Sequence, residues 1–132
     1  MQTPSIFTRI INGEIPCHKV YEDDRVMAFL TISPVADGHT LVVPKKQVDQ
    51  LWDLGDDEYG YLWEVSRKIA LHLRAVLAVE RVGVVVKGFE VPHAHIHLIP
   101  VNSHSSVNFD PDPPPAQADD VTLAAIAERI RL

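Results

Sequence analysis

The sequence predicts an α+β domain, an antiparallel sheet of about five strands with one long helix packed on it and a short helix at the N-terminus. Three observations carry this. Between Asp56 and Glu80, Tyr59, Leu62, Trp63, Ile69, Leu73, Val76 and Leu77 recur at three- and four-residue spacing, the period of one helix face. Five shorter runs of apolar residues are bounded by Gly, Pro or Asp clusters, as strands are. The length, 132 residues, fits one domain able to bury a core without cross-links.

Ser5-Ile6-Phe7-Thr8-Arg9-Ile10-Ile11 places four apolar side chains on one helical face, and Asn12-Gly13 supplies the stop. Strands are predicted over His18 to Tyr21 and Val26 to Ile32, joined by a turn at Glu22 to Arg25, and over His39 to Val43, ended by Pro44. The long helix starts at Asp56 with acidic residues, which suit a helix N-terminus. Val82 to Val86 reads as a continuous apolar strand in the middle of the sheet, and His93 to Ile99 as a strand stopped by Pro100. Residues 101–132 change character. Asn102 to Asp120 is polar and carries Pro111, Pro113, Pro114 and Pro115, an irregular arm, while Val121 to Ile130 fits a short helix. Residues 1–100 are thus read as the catalytic domain, with 101–132 an arm and helix packed on it.

Composition narrows the partners. The formal net charge of −6 gives no global basic field of the kind that attracts a nucleic-acid polymer or an anionic membrane surface. A phosphate-bearing ligand then needs a local site, and seven histidines could furnish one. Cys17 is the single cysteine, so no intramolecular disulfide or Cys-x-x-Cys centre is available. Met1 to Arg9 lacks the pattern of a signal peptide, and no apolar run approaches a membrane span, so the expected setting is cytoplasmic.

The chemistry concentrates in His93-Ala94-His95-Ile96-His97. On a strand these imidazoles share a face at about 7 Å steps, while Ala94, Ile96 and Leu98 point the other way. A solvated strand face usually mixes Thr, Lys, Glu and Ser, and repetition of one titratable type at period two is hard to obtain by accident. A neutral imidazole is a nucleophile and base near pH 7, and its protonated form is an acid and a cation for phosphate oxygens. Substitution at phosphorus needs those roles together. The competing use of His-x-His on a strand is metal ligation, with His39 on another strand as a further ligand.

His93 to Ile99 resembles the signature of the histidine triad (HIT) family, His-φ-His-φ-His-φ-φ with φ apolar. The resemblance extends to Ile6-Phe7-x-x-Ile10-Ile11-x-Gly13-Glu14-Ile15-Pro16, to Val20 to Asp24, to Ala28-Phe29-Leu30, and to Pro34 with Gly38 to Lys45, in order over residues 4 to 100. It implies a HIT-like fold and a nucleotide hydrolase or transferase of the Hint-like branch. Such an enzyme works without metal or other cofactor on a small nucleotide-like substrate, such as a nucleoside phosphoramidate, and forms a homodimer. By position, His95 is implied as the nucleophile that becomes nucleotidylated. His93 and His97 then flank the phosphate, with His39 beside them. Ile6, Phe7, Ile10, Phe29, Leu30, Thr31, Ile32, Phe89 and Glu90 are implied as nucleotide-binding residues. A nucleotide-binding module with little catalysis is the alternative.

Three departures from the family pattern stand out. Many bacterial members hold a structural zinc through Cys-x-x-Cys, a histidine after the third strand and a triad histidine; the first three positions read Ser5, Thr8 and Gln47 here. Thr31 stands in Phe29-Leu30-Thr31-Ile32 where the family has a ribose-binding aspartate, and a hydroxyl cannot accept two hydrogen bonds as a carboxylate does. Phe89 and Glu90 replace polar residues, a glutamine among them, in the loop before the triad. Trp52 and Trp63 read as packing or interface residues, Lys45 and Lys46 as solvated charges, and the proline-rich arm as a segment that reaches a partner subunit.

Overall fold

The computed structural model describes residues 2–132. Strands β1 (Lys19–Glu22), β2 (Val26–Leu30), β3 (Thr40–Pro44), β4 (Arg81–Val85) and β5 (Ile96–Val101) form one sheet in the order β1-β2-β3-β5-β4. All neighbours are antiparallel. Helix α1 (Ile6–Ile11) precedes the sheet, α2 (Asp56–Val76) joins β3 to β4 after a short 3-10 turn at Leu51–Asp53, and α3 (Asp120–Ile130) ends the chain.

Both faces of the central strands are covered, which is why β2 and β3 are buried along their whole length. Val26, Ala28, Leu30, Val42, Ala94, Ile96 and Leu98 meet Leu62, Val65, Ile69 and Leu73 of α2 and Leu123, Ala127 and Ile130 of α3. On the opposite face Phe7 of α1 packs with Met27, Phe29, Leu41 and Val43. The period-two alternation sorts the triad strand as the sequence predicts, with Ala94, Ile96 and Leu98 toward the helices.

Elsewhere the boundaries differ. The long helix ends at Val76 instead of Glu80, because Ala78 takes a left-handed conformation at φ 53° and turns the chain toward β4. The valine strand is an edge, not the centre: β4 pairs only with β5, and Val84 is 48% exposed. The triad strand begins at Ile96 and runs through Pro100 to Val101. Pro100 is tolerated because β5 has by then passed its last β3 pair, Thr40 with Leu98.

The C-terminal arm folds back onto its own chain. Ser103 donates to Glu80 through its N–H at 2.7 Å and its hydroxyl at 2.9 Å. Phe109 lies on β4 at Gly83, where an added Cβ would fall on the aromatic ring. Asp110 pairs with Lys87 at 2.7 Å, and the Ala118 N–H donates to the Ile32 carbonyl at 2.8 Å.

Candidate active site

Leu41 pairs with His97 across β3 and β5, so His39, two residues earlier on the same face, lies diagonal to that imidazole. Gly38, at φ 88°, turns the chain into β3 in a space where a Cβ would press on Leu77 at 2.7 Å, and this fixes where His39 starts. His39 Nε2 and His97 Nδ1 are 2.9 Å apart. The Val35 N–H donates to His39 Nδ1 at 3.2 Å. That nitrogen is therefore an acceptor, His39 carries its proton on Nε2 and donates it to His97, and His97 must carry its own proton on Nε2.

His95 is oriented from its own strand. Its Nδ1–H donates to the His93 carbonyl at 2.7 Å, which leaves the Nε2 lone pair free. Its ring sits edge-on to Phe7, with centroids 4.9 Å apart, and 5.0 Å from His97. Neither His95 Nε2 nor His97 Nε2 is among the buried polar atoms without a partner, so each is accessible from the cavity that both residues line. Burial holds the His39 and His97 imidazoles down to about 4, with His97 adding to the effect on His39 and His95 to that on His97. His95 is lowered by burial as well, against the opposing pull of the His93 carbonyl and Glu90. All three are neutral at pH 7.

His93 is placed differently from the sequence expectation. Its ring is fully buried, lines neither cavity of the site, and has both nitrogens committed. Nε2–H donates to the Pro44 carbonyl at 2.7 Å, so Nδ1 accepts from the Ser5 hydroxyl, also at 2.7 Å. Its ring is closed off from both cavities, and its link to the site is the carbonyl that orients His95.

Ser5, Thr8, Gln47 and His93 do converge. Gln47 Oε1 accepts from the Ser5 N–H at 2.8 Å and from the Thr8 hydroxyl at 2.5 Å. Ser5 Oγ also accepts from the Thr8 N–H at 3.0 Å as the N-cap of α1. Two hydroxyls, an amide and one imidazole already engaged do not fit zinc, which selects thiolate, imidazole and carboxylate donors. Among the described residues no cluster of three or more His, Cys, Asp or Glu side chains could hold a metal.

The main cavity, about 720 Å³, opens beside His39, His95 and His97. Ile6, Phe7, Ile10, Phe29, Leu30, Thr31, Ile32 and Glu90 line it. Phe89 does not: it is 88% exposed and borders a second, smaller cavity. Sequence reasoning missed Phe109, Asp110, Pro111, Pro114 and Pro115 of the arm, and Val121 and Ala124 of α3, which form another wall. His18 and Cys17 also line it, His18 bonded to Asp120 at 3.2 Å.

The chain matches the HIT domain over residues 12–104. It belongs to the HIT family. An uncharacterised HIT-like protein of Borreliella burgdorferi is 40% identical over 111 residues, covering 79% of this chain and 80% of that protein. The crystal structure of a HIT-like protein from Bartonella henselae, described as involved in cell-cycle regulation, superposes with a TM-score of 0.87 at 30% identity, over 99% of this chain and 97% of the other. A hypothetical histidine triad nucleotide-binding protein of Sulfolobus tokodaii superposes with a TM-score of 0.83 at 27% identity, over 95% and 88% of the two chains. Membership supports nucleotide binding and hydrolase-type chemistry in general terms, on a HIT fold in which no helix of the described residues is long and apolar enough to cross a membrane.

Proposed function

We propose that this HIT protein is a metal-independent nucleotidyl hydrolase or transferase that acts on small nucleoside phosphoramidates or related nucleotidyl conjugates through a covalent nucleotidyl-His95. The observation that carries this reading is the tautomer of His95: Nδ1–H is held by the His93 carbonyl, and the free Nε2 opens on a cavity of nucleoside size. As the Nε2–P bond forms, the bond from phosphorus to the leaving nitrogen breaks, and its electron pair departs with the amine. An adjacent phosphoryl anion inclines the His39–His97 pair to take up a proton, and His97 Nε2 delivers it to the leaving nitrogen. The same pair takes a proton back from the water that attacks phosphorus, breaks the Nε2–P bond and frees the nucleoside monophosphate.

Ile6, Phe7, Ile10, Phe29, Leu30 and Ile32 supply the apolar walls for a nucleoside in this reading, and Thr31 offers the ribose a hydroxyl in place of a carboxylate. The unpaired edge of β4, with exposed Val84 and Val86, suits a homodimer that extends the sheet. The unpaired thiol of Cys17 suits a reducing, cytoplasmic setting.

Mass spectrometry after brief exposure to adenosine and guanosine phosphoramidates tests the mechanism. The expected result is an adduct of nucleotidyl mass on His95, absent in His95→Ala. Near-native turnover by His95→Ala would refute it. Binding of nucleoside monophosphates with no adduct and no turnover of any substrate would favour a binding module, the alternative that Thr31 motivates.

A further inference from the structure

His95 lines two cavities. Besides the nucleoside-sized one, it borders a space of about 280 Å³ together with Asp49, Trp52, Lys87 and Phe89. The two aromatic side chains are the most exposed aromatic ones among the described residues: Trp52 is 72% and Phe89 88% solvent-accessible, with no core role to explain them. Trp52 is backed by Tyr59, their ring centroids 6.2 Å apart, and Tyr59 in turn by Trp63. Its ring is thus the exposed end of a row of three aromatic side chains whose other members, Tyr59 and Trp63, pack against the core.

We infer that this second cavity is the subsite for the leaving group, and that it takes an amine bearing a planar apolar group, which rests against Trp52 and Phe89. The inference rests on the nucleotidyl-transfer reading above. Charge separates this class from the other obvious one, a second nucleotide released with its phosphates. Lys87, the one cation among the bordering residues, is already paired with Asp110 at 2.7 Å and lies 4.0 Å from Glu90. Asp49 adds a free carboxylate at the rim. A polyphosphate there would meet net negative charge, whereas an amine that leaves with the one proton from His97 departs neutral and meets no such repulsion. Phe89 supplies the wall from which the planar group is gripped, and the Gly88 before it, at φ 88°, turns the loop outward so that the ring clears the strand.

The test compares two phosphoramidates of one nucleoside, one releasing methylamine and the other 2-naphthylmethylamine, with the rate of nucleotidyl-His95 formation read by mass in a single turnover. The amine is lost in that step, and the aryl-to-methyl rate ratio between proteins cancels the intrinsic reactivity of the substrates. Trp52→Ala and Phe89→Ala are each expected to lower the ratio about three- to tenfold, the range of a single aromatic contact. Both positions are surface ones, so the variants keep the fold, and their thermal melts verify it. An unchanged ratio in both variants, or equal losses for both substrates, would overturn the subsite while leaving the mechanism standing. If neither substrate forms an adduct on the wild-type protein, the nucleotidyl-transfer reading fails and the subsite with it. A dinucleoside diphosphate that forms the adduct faster than the naphthyl compound would overturn the choice of leaving group.

Discussion

Replacing Ser5 by Ala removes two hydrogen bonds with one atom. The hydroxyl caps α1 by accepting from the Thr8 N–H, and it donates to His93 Nδ1, whose ring is fully buried. The other ring nitrogen is held by the Pro44 carbonyl, so the ring cannot turn to find another donor without breaking that bond. The nearest substitute, the Thr8 hydroxyl, stands 3.4 Å away and is already engaged with Gln47. A buried polar group left without its partner costs about 1–3 kcal/mol, and loss of a serine cap about 1 kcal/mol. Ser5→Ala is therefore expected to lose about 2–4 kcal/mol, read as a lower urea midpoint with an unchanged slope at pH 7.5, where His93 is neutral in both states. Ser5→Gly separates the two parts. Glycine keeps most of the capping preference, so its loss is expected to be about 1–3 kcal/mol, from the His93 bond alone. A loss below about 0.5 kcal/mol in Ser5→Ala would refute the assignment of His93 as an acceptor from Ser5.

The imidazole environment also sets a pH dependence. His39 and His97 are held near 4 by burial first and then by His97 beside His39 and His95 beside His97, against an ordinary value of 6.5. Between those values the unfolded chain binds a proton that the folded chain refuses. Stability is thus complete above about pH 6.5 and falls as the pH drops toward 4, by about 3 kcal/mol for one proton on the coupled pair. Urea unfolding from pH 4 to 8 reads this, and the curve should flatten in His39→Asn/His97→Asn; a wild-type curve with no slope in that window contradicts it. His95, also lowered, should keep forming its adduct below pH 6.5 before protonation stops it, so an acid limb centred above 6.5 would count against it as nucleophile. Gly83→Ala places a Cβ on the Phe109 ring and should unseat the arm. Limited proteolysis within residues 102–119 should quicken, and nucleoside monophosphate binding should weaken roughly three- to tenfold as one cavity wall is lost. Unchanged proteolysis and affinity would mean that the arm is not a wall of the cavity.

Much of this was legible in the chain because it rests on local pattern. The alternation in His93 to Leu98 and the helical period of α2 give the same inward-facing apolar residues in the sequence as in the fold. Other features depend on contacts that no local window contains. Val82 to Val86 has the composition of a central strand, yet the sheet order places it at the edge, where its exposed valines face no partner in this chain. The period-two reading puts His93 on the same face as His95, which is right, since both rings pack on Phe7. It says nothing of depth. Only the approach of Ser5 and Pro44, 88 and 49 residues away, decides that this ring is sealed while its neighbour is open. The arm was missed as a cavity wall for a similar reason: proline-rich sequence predicts irregular backbone, but Phe109 finds its seat only because residue 83, on a distant strand, is glycine.

In the proposed mechanism the three triad rings differ in role although they are chemically the same, and what would separate them at phosphorus is the hydrogen bond each makes within the protein. His93 is bonded at both nitrogens and is left with no chemistry of its own. His95 spends its proton on a carbonyl and keeps a lone pair. His97 spends its lone pair on His39 and keeps a proton, because a backbone N–H at Val35 has already fixed which way the His39 ring is protonated. In the proposed mechanism a nucleophile and a donor are thus set side by side, with ring centroids 5.0 Å apart. Two neutral rings with opposite tautomers do not repel one another as two imidazolium ions would. That is why they can share so apolar a wall, and why loss of the distant Val35–His39 contact would scramble the division of labour at phosphorus as surely as loss of a triad ring.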